Sequence, residues 1–297
     1  MKRKILHLIP TLSSGGAERQ LVNVVSNTSN ELFTHLVCTF TNSSFFAPEI
    51  EEKGHTVKEL GITQKRPWFA AARKFLDVIN DYKPDLINSW LFDADITTRL
   101  SKIYRNLNIP LVTSLQSTAY DQETILAGGW SPLKVKVLKQ LDKLTMKLTR
   151  PYFAACSHTV KKSFQRHLGI DLSRTKVIYN SITPESLISS QSAFERIRKE
   201  FEVPLDGFLY LNVGRLDKRK NQTFLIRAFA EVLHNKANVF MIIVGAGDLE
   251  KDLKTQTKRL GIEDKVRFAG RRSDIPDFLQ AANAFVFPSL TEGLPLV

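Results

Sequence analysis

Cysteine is nearly absent from this chain: Cys38 and Cys156 are the only two in 297 residues. Two are too few for a disulfide framework and offer no metal-ligand spacing, so a reducing, cytoplasmic location is expected. Histidine is scarce as well, and its 6 positions show none of the spacings of a zinc site, so no metal is expected. No apolar run approaches the roughly 20 residues needed to span a bilayer. The basic start, Met1 to Pro10, has an apolar stretch too short for a signal peptide and no small-residue cleavage site after it, which leaves a first β-strand as its explanation. Internal repeats and low-complexity tracts are also missing. What remains is ordinary globular composition, 43% hydrophobic and 24% charged, in a length that suits one large domain or two of common size.

Acidic charge is short in one half only. Residues 1–180 carry 25 Lys and Arg against 15 Asp and Glu, whereas residues 181–297 carry 17 against 15. The overall +12 therefore sits mostly in the first half, which calls for an anionic partner: nucleic acid, acidic lipid or a phosphorylated substrate.

Short apolar runs alternate with helical patterns throughout. Ile5–Ile9, Thr34–Thr39, Leu86–Ser89, Pro110–Ser114, Phe153–Cys156 and Lys176–Tyr179 read as strands, with helices such as Ala17–Thr28, Trp68–Tyr82 and Leu133–Thr149 between them. A polar segment follows, and a second series begins: strands Leu209–Val213, Val239–Val244, Val266–Phe268 and Ala284–Phe287, with helices Gln222–His234, Leu249–Leu260 and Ile275–Ala282. This alternation predicts α/β units with parallel sheets and covering helices. The expected division is a first domain over 1–180, a linker over 181–200 and a second domain over 201–297.

Several loops at the carboxyl ends of these strands carry chemistry, and open α/β sheets bind ligands there. Gly15-Gly16-Ala17-Glu18 opens the first helix, where glycines admit a ligand close to the backbone and free amides attract phosphate. The same residues also read as a plain tight turn. Gly214-Arg215-Leu216, followed by Lys220-Asn221, places two cations five residues apart across a strand-to-helix turn, where they can converge on one diphosphate. A solvated charge run is the plain alternative. Gly245-Ala246-Gly247 lacks the third glycine of a dinucleotide fingerprint, since Glu250 stands in its place, and reads as a turn. Arg271, in a loop capped by Asp274, is a candidate base contact. Pro288-Ser289-Leu290-Thr291-Glu292-Gly293-Leu294-Pro295-Leu296-Val297 puts a carboxylate and a glycine turn after the final apolar run.

That last segment resembles the donor-sugar motif of the retaining glycosyltransferases of family 4. The Gly-Arg-Leu and Lys-Asn order is similar to the same family's diphosphate-binding element. The resemblance runs from Ile5 to Val297. It implies a GT-B fold, in which two Rossmann-like parallel-sheet domains face a cleft, with the second domain incomplete. The family motif has two glutamates separated by seven residues; Glu292 matches the first and the second would lie just past Val297, so a carboxyl-terminal truncation is expected. The implied reaction moves a sugar from a nucleoside-diphosphate sugar to an acceptor hydroxyl with retention, in bacterial cell-surface polysaccharide or lipid-linked glycan synthesis. The resemblance implies catalytic roles for Arg215, Lys220 and Glu292, and donor binding by Gly15, Gly16, Gly214, Arg271, Gly293, Leu296 and Val297. Asn88, Asp93 and Gln116 fall on the acceptor side, where many relatives place histidine or another polar group. No cofactor is implied beyond the nucleotide sugar, a co-substrate.

Two rivals stay open: a nucleotide-sugar epimerase of the same fold, and a non-enzymatic module that binds anions or nucleic acid through the basic first half. The expected partners are a nucleotide-sugar donor and a glycan or lipid-linked acceptor, without nucleic acid. Leu133, Val137, Leu141, Leu144 and Leu148 form one helical stripe beside Lys136, Lys139, Lys143, Lys147 and Arg150, with Trp130 just ahead. An interfacial helix has this make-up, so peripheral docking on an anionic membrane through Leu133–Arg150 is a further expectation; packing of the stripe on the sheet is its alternative.

Overall fold

The computed structural model describes residues 2–41, 45–64, 67–182, 188–189 and 192–297. The chain divides into two compact units. One comprises Met1–Asp121, Trp130–Ser181 and Gly293–Leu296; the other Gln122–Gly129, Ile182–Glu292 and Val297.

The first unit runs β1 (Arg3–Ile9), α1 (Gly16–Asn27), β2 (Phe33–Thr39), α2 (Ala47–Glu52), β3 (Thr56–Glu59), α3 (Trp68–Tyr82), β4 (Leu86–Trp90), α4 (Phe92–Arg105) and β5 (Leu111–Leu115). The short α5 (Gln122–Ala127) belongs to the second unit, and the first resumes with α6 (Pro132–Thr149), β6 (Tyr152–Ala155), α7 (His158–Leu168) and β7 (Thr175–Val177). Its seven strands pair in parallel in the order β3-β2-β1-β4-β5-β6-β7. Alternation along β1 and β2 sends Leu6, Leu8, Leu36 and Cys38 toward α3, while Ile9 and Val37 pack with Leu21, Val22 and Val25 of α1, so apolar layers cover both faces.

Two buried polar networks run through this unit. Trp90 Nε1 donates to His7 Nδ1 at 3.4 Å, His7 Nε2 lies 3.0 Å from His35 Nδ1, and His35 Nε2 lies 2.7 Å from Thr28 Oγ1. An indole can only donate, so this chain of contacts makes both rings neutral with the proton on Nε2. Burial depresses both histidines, with His35 lowered to about 4. They are interior residues satisfied by the protein. On the other side Arg99 pairs with Asp142, which also accepts from Tyr120 Oη at 2.6 Å. Asp95 lies beside this network, and desolvation raises its carboxyl to about 7.

The second unit continues with α8 (Ala193–Glu200), β8 (Phe208–Val213), α9 (Gln222–Asn235), β9 (Val239–Val244), α10 (Glu250–Arg259), β10 (Val266–Gly270), α11 (Ile275–Ala281) and β11 (Ala284–Phe285). Its four parallel strands take the order β10-β9-β8-β11. Every residue of β9 is buried, as its unbroken apolar run requires of a strand covered on two faces. Leu225, Ile226 and Phe229 cover one side, and Ile197, Phe278 and Ala281 the other.

Three features depart from the sequence reading. Residues 181–200, expected to be a linker, contain α8, whose Ile197 and Arg198 are buried in the second unit. The strand expected to reach Tyr179 stops at Val177, leaving Ile178 and Tyr179 exposed. Asp274 stands at the start of α11 but makes no side-chain cap; its carboxylate takes Arg272 at 2.8 Å instead, and that contact holds it below the usual carboxylate range.

Candidate functional site

In the second unit the loop after β8 and the segment after β11 are laced together. Val286 N donates to Leu211 O, the buried Asn212 Nδ2 donates to Val286 O, Asn221 Nδ2 donates to Pro288 O, and Leu290 N donates to Arg219 O. Asp217 caps the one-turn helix Lys218–Lys220 through the Arg219 and Lys220 amides. Asn221 takes a left-handed conformation, φ 57°, which asparagine tolerates and which turns the chain into α9. The result is a pair: Lys220 Nζ sits 2.5 Å from Glu292 Oε1 and 4.9 Å from the centre of the Phe287 ring. Residues 72 apart in sequence thus place a cation, a carboxylate and an aromatic face at one point.

Gly214 lines this point. A Cβ there would meet the Lys220 stem at 3.5 Å, ordinary contact, so the glycine leaves the stem room without being forced by it. Arg215 follows, exposed, and its side chain has no polar partner among the described residues. Gly245 and Gly247 back the loop. A Cβ on Gly245 would overlap the Gly214 carbonyl, one on Gly247 would overlap Leu216 O, and Leu216 N donates to Ala246 O at 3.1 Å. These two glycines serve backbone packing, as the missing third glycine suggested. Arg271 is exposed and likewise without a polar partner among the described residues, while its neighbour Arg272 is engaged by Glu200 and Asp274. Val297 is exposed.

The remaining candidates lie in the first unit. Gly15 precedes α1, and the Glu18 carboxylate lies where a Cβ on Gly15 would be. An acidic side chain therefore already occupies the amino terminus of α1, where the sequence placed a phosphate. Gly16 has open space beside it. Asn88 Oδ1 accepts from Ser114 Oγ at 3.0 Å, and Asp93 Oδ1 accepts from Trp68 Nε1 at 2.7 Å. Asp93 also lines a cavity of about 530 Å³ at the carboxyl ends of β1 and β2, together with Thr11, Thr41, Gln64 and Lys134. Gly293 packs on Gln116, whose carbonyl a Cβ would strike, and its own carbonyl accepts from Ser157 Oγ at 2.9 Å. Leu296, half-buried, falls in this unit as well. The structure thus joins Gly214, Lys220 and Glu292 within one unit and Gln116 with Gly293 in the other. Sequence reasoning named Asn221 only as part of the Lys-Asn element and gave no role to Phe287, Asn212 or Asp217. All four act by placing others, and only their position beside the basic loop could have pointed to them.

The family model described as "Glycosyltransferase Family 4" matches residues 14–186, more than half of the chain. The chain belongs to the glycosyltransferases. A second model, "Glycosyl transferases group 1", matches residues 193–297 of this glycosyltransferase. It is 28% identical to an uncharacterised glycosyltransferase of Methanocaldococcus jannaschii over 75% of its own length, and spans 54% of that relative. It is 31% identical to the N-acetylgalactosamine-N,N'-diacetylbacillosaminyl-diphospho-undecaprenol 4-alpha-N-acetylgalactosaminyltransferase of Campylobacter jejuni, over 98% of this chain and 76% of that one. Among solved structures, Anabaena HepE in complex with UDP matches with a TM-score of 0.74 at 25% identity, over 97% of this glycosyltransferase and 74% of HepE. The GT-B class expected from sequence, two parallel α/β sheets, holds.

Proposed function

We propose that this glycosyltransferase moves a hexosyl residue from a nucleoside-diphosphate sugar to a hydroxyl of a glycan acceptor, with retention at the anomeric carbon and without a metal ion. The Lys220–Glu292 pair carries the reading. As the bond to the anomeric carbon breaks, negative charge grows on the departing diphosphate and positive charge on the sugar. Lys220 and the exposed Arg215 would stabilise the first electrostatically, and Glu292 would hold sugar hydroxyls beside them. Two cations then do the work of a divalent ion. Gly16 leaves room beside the α1 start for the acceptor. The cavity at Asp93 sets threonine hydroxyls, the Gln64 amide, Asp93 and Lys134 among apolar walls that include Phe40 and Ile62, which suits a sugar acceptor. HepE's complex with UDP supports a uridine nucleotide, and the Campylobacter relative's name supports a lipid diphosphate-linked glycan and an alpha product.

The test supplies alpha-configured UDP-hexoses with undecaprenyl-diphosphate oligosaccharides, and follows both UDP release and the anomeric configuration of the product. An alpha linkage formed equally well with EDTA present is expected. A beta linkage, loss of transfer in EDTA, or no release of UDP from any donor would contradict the proposal.

We also propose that α6 docks this chain on an anionic membrane. Its inner face is Val135, Leu138, Asp142, Thr145, Met146 and Thr149. The more apolar stripe faces outward: Leu133, Val137, Leu144 and Leu148 are 73%, 58%, 57% and 60% exposed. Lys136, Lys143 and Lys147 stand exposed beside it, and Trp130 is 42% exposed with Lys134 over its ring at 5.7 Å. Lys139, expected on that face, instead meets His167 Nδ1 at 3.2 Å. Leu141, the fifth member of the expected stripe, is half-buried, while the other four face away from the sheet. An outward apolar stripe flanked by cations matches an interfacial helix, each lysine contributing about 1 kcal/mol at an anionic surface. Replacing Lys136, Lys143 and Lys147 with glutamine should lower partitioning to phosphatidylglycerol vesicles about 100-fold, from roughly 3 kcal/mol of lost attraction, without changing UDP binding. Sedimentation with vesicles decides it; equal partitioning of variant and wild type would end the idea.

A further inference from the structure

We infer that the short helix α5 is part of the donor site proposed above, and that Thr124 on it is a positioning residue for Glu292. Although α5 precedes the basic loop by some ninety residues, Gln122–Gly129 belongs with the second unit, while Asp121 and Trp130 on its flanks belong to the first. It packs against Lys218–Lys220, the turn that carries Lys220. Thr124 Oγ1 lies 3.0 Å from Thr291 Oγ1, the residue directly before Glu292. One helix therefore touches the backbone supports of both members of the Lys220–Glu292 pair.

Nothing in α5 itself fixes it there. It has 6 residues, none of them buried, far short of the length at which a helix is stable alone. Its place depends on what surrounds it. At its amino end Asp121 Oδ1 accepts from Ser163 Oγ at 2.7 Å and stands 2.8 Å from His167 Nε2. At its carboxyl end Gly129 takes φ +63°, and Ser131 caps α6 by accepting from Lys134 N. Leu290 is already tied to Arg219 by a backbone hydrogen bond, so the next residues, Thr291 and Glu292, are where a further tie can set the carboxylate's direction. Both threonines are β-branched and stiff at χ1, so joining their hydroxyls constrains the peptide between Thr291 and Glu292. The expected consequence is selective. Glu292 is assigned to the sugar, so a loosened Thr291 should cost affinity for a nucleotide sugar and leave the diphosphate contacts alone.

The experiment titrates UDP and UDP-glucose calorimetrically into the wild type, Thr124→Val and Thr124→Ser. Valine keeps the shape and removes the hydroxyl; serine restores it. The expected result is a three- to tenfold loss of UDP-glucose affinity in Thr124→Val, about what one hydrogen bond contributes, with UDP affinity and melting temperature unchanged and Thr124→Ser close to wild type. A Thr124→Val variant that binds both ligands as the wild type does, or loses both equally, would overturn the positioning role. Wild type that binds neither UDP nor UDP-glucose would overturn the donor site itself, and the inference with it.

Discussion

Arg198→Leu is expected to destabilise the second unit by about 3–5 kcal/mol, because several buried acceptors lose their donor at once, at about 1–3 kcal/mol each. Arg198 is fully buried on α8, and burial depresses its pKa. Among the described residues no carboxylate bonds it directly; Asp206 acts on it only from a distance. Its guanidinium donates to Ala281 O at 3.2 Å, to Pro204 O and Gly207 O at 2.7 Å, and to Asn283 Oδ1 at 2.7 Å, with the Phe194 ring 4.4 Å away. Asn283 Oδ1 also accepts from Leu209 N. One side chain thus closes the turn into β8, the end of α11 and the approach to β11. A buried ion pair can sometimes be exchanged for apolar groups at little cost, but only when both partners go. Here most partners are backbone carbonyls, which stay behind, each left unsatisfied at a cost of about 1–3 kcal/mol. Arg198→Lys should recover only part, because an ammonium cannot spread over acceptors on three segments. Hydrogen exchange of the β9 amides reads this locally, avoiding the assumption that two units unfold as one. Protection within 1 kcal/mol of wild type in Arg198→Leu would refute the clamp.

Arg198 also marks where the sequence stopped being legible. A helix whose inner face is Ala193, Ile197 and an arginine carries too little hydropathy to be told from a polar linker. The polar β3 and the short α2 escaped for the same reason. Runs buried on both faces, such as Val239–Val244, and helices with one clear apolar stripe, such as Trp68–Tyr82, were readable to within a residue. Periodicity found the stripe on α6 yet could not say which way it points. The inner face is partly polar because Arg99 and Tyr120 satisfy Asp142, and such partners are visible only in three dimensions. At the proposed donor site the residue types and order around Lys220 and Glu292 were legible. Their direct pairing was not, since it depends on contacts between loops some seventy residues apart.

That pairing makes Lys220→Ala the substitution with the largest expected effect on activity. Removing one preorganised charge contact in a closed site typically costs 10²–10³ in kcat, about 2.7–4 kcal/mol. Here the loss should fall at the severe end, because Glu292 would remain as an unpaired carboxylate beside the place of the diphosphate. The same geometry predicts non-additivity: Glu292→Gln, harmful alone, should partly restore diphosphate binding in Lys220→Ala by removing the repulsion. Arg215→Ala, which leaves no buried partner behind, should cost about tenfold to a hundredfold, as for a single charge-assisted contact. Neither change should disturb folding, since Gly214 makes only ordinary contact with the Lys220 stem and Arg215 is exposed.

The most direct measurement is a calorimetric titration of UDP, GDP and ADP into the wild type and the Arg215→Ala, Lys220→Ala double variant. Saturable binding of one nucleoside diphosphate by the wild type, weakened at least 100-fold in the double variant and partly recovered when Glu292→Gln is added, is the predicted result. Equal binding by wild type and double variant would contradict the assignment of Arg215 and Lys220 to the diphosphate.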